Sequence, residues 1–113
     1  MSKRDNFILL EDIAEAIAKV LKYTKNMNYD AFLADVKTQD AVYRNFEVIG
    51  EAANQITEDF KNTYPEIEWK KLSGLRNRII HEYFGVDNEI IWNIIQSKIE
   101  DFKISIDDIL QNK

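Results

Sequence analysis

The chain has no cysteine, one histidine, one proline and three glycines in 113 residues. Without cysteine there is no disulfide framework, no thiolate nucleophile and no thiolate zinc site. Transition-metal cages combine several imidazoles or thiolates, so a single imidazole leaves a mechanism without metal or cofactor as the expectation. Scarce glycine and proline remove the turn residues that a β-rich chain would use. No apolar run approaches the roughly 18 residues of a membrane helix, and Glu11, Asp12 and Glu15 interrupt the first apolar segment. The sequence therefore reads as a cytoplasmic protein, mature as written, with no membrane partner.

Positive charge is also in short supply: 15 lysines and arginines against 20 acids give a net charge of −5. That balance excludes a protein coated with basic residues that binds nucleic acid mainly by covering phosphates. One local exception stands out. Lys70, Lys71, Arg76 and Arg78 fall within nine residues that contain no acid, which leaves room for a focused anion site.

What the chain does have is the composition of a folded protein, 45% hydrophobic and 31% charged. Its length suits one domain, residues 1–113. Apolar residues recur at intervals of three and four nearly throughout, the period of an amphipathic helix. Leu10, Ile13, Ile17, Val20 and Leu21 mark a first helix from about Asp5 to Tyr23, and Asn28 caps a short piece over Tyr29 to Asp35. Val42, Phe46, Ile49, Ala53, Ile56 and Phe60 predict one long helix from Thr38 to Thr63, stopped by Pro65. A fourth helix carries Trp69, Leu72, Ile79, Ile80 and Phe84, with Gly85 suited to its left-handed end. Asp87 caps a last helix whose inner face is Ile91, Ile95, Phe102, Ile106 and Ile109. The expected fold is all-α, an antiparallel bundle of four to five helices. Ile90, Trp92 and Ile94 lie outside the main stripes, and a homodimer would bury that excess.

The only histidine sits in the stretch LRNRIIHEYFGVD, residues 75–87. On a continuous helix Arg76 and His81 lie about 140° and 7.5 Å apart. Asn77, four before His81, shares the imidazole's face, while Tyr83, seven beyond Arg76, returns to the arginine's side. A neutral imidazole exchanges protons near neutral pH, and a guanidinium is a fixed clamp for phosphate. Together they can handle a phosphodiester that brings its own nucleophile, as RNA does through its 2′-hydroxyl. A lone histidine near a helix end is ordinarily a capping or packing residue, so spacing alone leaves that plain role standing beside the chemical one. Lys70, Lys71 and Arg78 can guide RNA phosphates or form a solvated helix face. Arg44, Glu47 and Glu51 have the spacing of intrahelical ion pairs, or the acids can orient an arginine from a neighbouring helix.

The string R-N-x-x-x-H-x-Y, here Arg76, Asn77, His81 and Tyr83, resembles the signature of the HEPN superfamily. With its added tyrosine it is similar to the HepT-like branch of toxin-antitoxin systems. The likeness extends to Trp69, to the F-G-V-D run at 84–87 and, more loosely, to Glu51-Ala52 as the family's Glu-Ala element. It implies a HEPN-like helical bundle that dimerises so that two motif helices line a shared cleft, with metal-independent endoribonuclease activity. His81 would then be the general base or acid, Arg76 the phosphate clamp and Asn77 their polar companion. The implied partner is a minimal nucleotidyltransferase that neutralises the toxin by transferring AMP to Tyr83. Two other readings stay open: a noncatalytic helical partner that binds RNA or nucleotide, and a histidine phosphotransfer bundle. The second expects a lysine and glycine soon after the histidine, and only Gly85 agrees.

Overall fold

Asp5 turns the chain into its first helix by accepting a hydrogen bond from the Phe7 amide at 2.7 Å. The computed structural model describes residues 5–80 and 87–112, which form seven α-helices and no strand. His81, Tyr83, Phe84, Gly85 and the side chain of Ile80 lie outside the described residues. No helix among the described residues is long and apolar enough to cross a membrane.

Helix α1 spans Asn6–Thr24 and α2 spans Tyr29–Ala34. They are separated at Asn26, whose φ of 65° is a left-handed conformation that asparagine tolerates. The Asn28 side chain caps α2 by accepting from the Ala31 amide at 2.8 Å. Asp35 then starts α3, Val36–Gln55, two residues before the expected Thr38. Its carboxylate accepts from both the amide and the hydroxyl of Thr38, at 3.0 and 2.8 Å.

The long third helix expected to run to Thr63 is broken. Ile56 leaves the helical region, and Thr57 caps a separate α4, Glu58–Thr63. A contact from far along the chain holds the break: the Asn6 amide group donates to Thr57 Oγ1 at 3.0 Å, and the Thr57 amide donates back to Asn6 Oδ1 at 3.2 Å. Because Asn6 opens α1 and Thr57 follows the end of α3, these two helices run antiparallel. Phe60 of α4 packs edge-on against Phe7, 5.3 Å between ring centres, and faces Tyr64 and Trp69.

Helix α5 covers Trp69–Ile80. The Trp69 indole donates to the Tyr64 carbonyl at 3.0 Å, tying the helix start to the loop before it. The single last helix is also divided, into α6, Asn88–Ser97, and α7, Ile99–Gln111. Lys98 at the joint has φ −124°, yet its amide still reaches Ile94 at 2.9 Å. The Ser97 hydroxyl donates back to the Asn93 carbonyl at 2.6 Å, a bond that bends helices. The bend lets α6 pack on α2 while α7 packs on α1.

The core is the expected set of stripes with little change: Leu10, Ile13, Ile17, Val42, Phe46, Ile49, Leu72, Ile91, Ile95 and Ile106 are all buried. Each such side chain contributes about 1.5–3 kcal/mol by leaving water. Trp92, part of the apolar excess expected to face a partner copy, is partly covered within the chain by Phe32 and Tyr29, 5.3 and 6.4 Å between ring centres. A polar chain locks the same corner. The Tyr43 hydroxyl donates to Asn88, Asn88 donates to Gln39 at 3.5 Å, and Gln39 donates to the Phe32 carbonyl at 2.8 Å. Asp87 caps α6 as expected, accepting from the amides of Glu89 and Ile90.

Candidate active site

Helices α3 and α5 cross at Gly50. A methyl group there would lie 2.5 Å from Arg76 Cβ and 2.7 Å from its backbone nitrogen, closer than real atoms pack. The missing side chain therefore sets how near the motif arginine's own backbone can come. Residue 51, the next on α3, supplies the second restraint: Glu51 Oε2 pairs with Arg76 Nε at 3.1 Å. Backbone and head group of Arg76 are thus fixed by two consecutive residues of one neighbouring helix. No ion pair joins Arg44 to Glu47 or Glu51 among the described residues, so the intrahelical pairing reading gives way to the interhelical one.

Arg76 is 42% exposed at its side chain and lies on the wall of an open cleft of about 470 Å³ between α1, α3 and α5. Asp12, Arg44, Glu47, Val48 and Glu51 share that wall. The cleft continues along α1 and α3 past Asp12, Arg44 and Val48 into a second depression of about 420 Å³ reaching Lys19 and Tyr23. Glu51 engages Nε, so the two Nη groups are the guanidinium's remaining donors. Charge-assisted, bidentate binding of a phosphate is what such a pair does best.

The remaining candidates divide. Asn77 is exposed on α5, one step of about 100° round from Arg76. Lys70, Lys71 and Arg78 line a different groove of about 370 Å³, on the flank of α5 that faces the α6–α7 bend. Lys71 is compensated there by Glu68 at 2.5 Å. That hydrogen bond holds the Glu68 carboxyl below its ordinary pKa and raises the Lys71 ammonium above its own. Lys98, which the sequence offered no reason to select, joins the same groove from the bend. Gly50 was likewise unmarked, since a glycine inside a helical stripe carries no signal of what crosses it. His81, expected as the general base or acid, and Tyr83, expected as the site of AMP transfer, lie outside the described residues.

Comparison with known proteins identifies the family. Residues 13–109 match the family described as Ribonuclease HepT-like. A "Putative RNase" of Methanocaldococcus jannaschii is 43% identical over 112 residues, covering 99% of this chain and 93% of the relative. The "Probable ribonuclease HepT" of Thermococcus cleftensis is 44% identical over 101 residues, 89% of this chain and 92% of that protein. A further "Putative RNase" of M. jannaschii is 38% identical over 107 residues, 95% of this chain and 98% of its own length. No solved structure matches the chain. The match across nearly the full length places the chain in the HepT-like ribonuclease family.

Proposed function

We propose that the protein is a metal-independent endoribonuclease, the toxin of a two-component pair, working at a cleft shared by two copies of the chain. The observation that carries this reading is the hold on Arg76. A guanidinium fixed by Gly50 and Glu51 in an open cleft suits a phosphate whose charge grows during reaction. Asn77 serves as the polar companion of the pair.

One His81 takes the proton from a 2′-hydroxyl as that oxygen forms its bond to phosphorus. The bond from phosphorus to the 5′-oxygen breaks, and His81 of the second copy returns a proton to the departing oxygen. The products are a 2′,3′-cyclic phosphate and a 5′-hydroxyl. One imidazole cannot readily perform both transfers in one turnover, so symmetry supplies the second. Two copies of Arg76 in one cleft would also concentrate positive potential on an otherwise acidic molecule.

Neutralisation falls to a minimal nucleotidyltransferase. The Tyr83 oxygen forms a bond to the α-phosphorus of ATP, pyrophosphate leaves, and the phenolic proton passes to solvent or a base. The added anion then occupies space that RNA phosphate needs.

The test is cleavage of total transfer RNA by the purified protein in excess chelator, beside a His81→Ala variant of equal oligomeric state. Cleavage by the wild type alone, leaving cyclic phosphate ends, is the expected result. Equal cleavage by both proteins overturns the assignment of His81, and loss of wild-type activity in chelator overturns metal independence.

A further inference from the structure

We propose that the groove between α5 and the α6–α7 bend is a second RNA-phosphate site, which takes a flank of the substrate strand away from Arg76. This deepens the ribonuclease reading and rests on it.

Four cations, Lys70, Lys71, Arg78 and Lys98, line the groove, and no carboxylate does. Glu68 neutralises Lys71 from the rim. Lys70, Arg78 and Lys98 take part in no ion pair among the described residues. Lys98 lies close enough to Glu68 for its charge to help hold that carboxyl down, so the depression gathers four cations against one acid at its edge, on a chain of net charge −5. Lys19, Lys61 and Lys103 are matched on their own helices by Glu15, Glu58 and Asp107, while Lys22, Lys25 and Lys37 are unpaired among the described residues but do not share a groove.

The shape fits a strand. Lys70, Gly74 and Arg78 are spaced by four, so they form one row along α5, about 12 Å from end to end. A methyl group at Gly74 would meet nothing within 4 Å, so the middle of the row is open and a ligand can approach the helix backbone there. Lys98 faces this row from the bend made at Ser97. The part-exposed Ile94, over the core residues Leu75 and Phe102, completes an apolar floor beneath the cations. A chain-to-chain contact through this groove would bring the cations of each copy together, which like-charge repulsion disfavours.

The test uses a fully 2′-O-methylated single-stranded RNA of about twelve nucleotides, which the enzyme can bind but not cut, across a salt titration. Wild-type protein is compared with Arg78→Ala/Lys98→Ala and with Gly74→Leu, a change that favours the helix but fills the groove. The double variant should bind about ten-fold more weakly or worse, with its log-log salt slope shallower by about 1.4, since each lost phosphate contact removes about 0.7 on a single strand. Gly74→Leu should weaken binding while leaving the melting temperature unchanged or higher. Wild-type affinity and slope in both variants would overturn the groove site while leaving the ribonuclease reading to the cleavage assay. So would loss of nucleotidyltransferase binding with RNA binding intact, which would make the groove a protein-docking surface. Absence of RNA binding by the wild type would overturn the groove site, with the ribonuclease reading again left to the cleavage assay.

Discussion

Arg76 and Glu51 are joined across the α3–α5 crossing at 3.1 Å, one residue from the point where Gly50 admits the α5 backbone. The two contacts differ in kind. The Gly50 contact is steric, buried and independent of salt, whereas the ion pair has both side chains roughly half exposed and is screened. Their effects on stability and on activity should therefore separate.

Gly50→Ala tests the steric contact. The added methyl meets Arg76 Cβ and backbone nitrogen, neither of which can rotate away, so α3 and α5 must move apart. Overpacking of this sort costs about 1–3 kcal/mol, partly offset by the roughly 1 kcal/mol that alanine gains over glycine in a helix. Urea denaturation should show a lower midpoint. Ribonuclease activity should fall further than the fraction unfolded explains, because the arginine that the crossing positions is displaced. A stable, fully active Gly50→Ala protein would show that the crossing tolerates more separation than its geometry indicates.

Glu51→Ala tests the charged contact and should look the opposite way. An exposed pair contributes about 0–1 kcal/mol, so the melting temperature should barely move. Turnover should drop about ten-fold or more, as expected when a clamp loses its orientation. RNA binding should hold or tighten, because an acid has left the cleft wall. A fall in affinity with unchanged turnover would instead make Glu51 part of the RNA-binding surface.

Asp35 gives the fold a pH dependence. Its hydrogen bonds from the Thr38 amide, then from the Thr38 hydroxyl, hold its carboxyl below the ordinary aspartate range. A carboxyl lowered on folding stabilises the native state above its unfolded pKa of about 3.9, and that contribution disappears as pH falls through the lower folded value. Wild type should therefore melt above Asp35→Ala by a constant margin near neutral pH. The margin should narrow only below about pH 4. A margin that widens on acidification would contradict the direction of the shift.

These residues show which parts of the structure were legible in the sequence. Caps built from adjacent residues were readable: Asn28 and Asp87 act where local chemistry puts them. The two helix breaks were not. Ile56 and Phe60 keep the spacing of the stripe that began at Val42, so periodicity runs through the break that Asn6 secures from 51 positions away. Ile95 and Phe102 likewise stay in register across the bend at Lys98. Arg76 was marked by its motif, but Gly50 and Lys98 gain their meaning only from what lies opposite them. One-dimensional spacing records which face a residue occupies and is silent on what that face meets.

The proposed division of labour between two imidazoles predicts a quadratic law. If each copy of the chain cut RNA alone, mixing wild type with His81→Ala by unfolding and refolding them together would give activity proportional to the wild-type fraction. If both His81 side chains are needed in one cleft, only dimers of two wild-type chains are active, and random pairing makes activity follow the square of that fraction. Mixing the same proteins without refolding supplies the linear control, provided subunits exchange slowly during the assay. A variant removing only the groove cations, Arg78→Ala/Lys98→Ala, can replace His81→Ala as the poisoning chain. It keeps the imidazole and clamp, so a mixed dimer should retain activity and the curve should lie above the square law. Linear behaviour after refolding with His81→Ala would show that one copy suffices, and the acid at the leaving oxygen would have to be sought within the same chain.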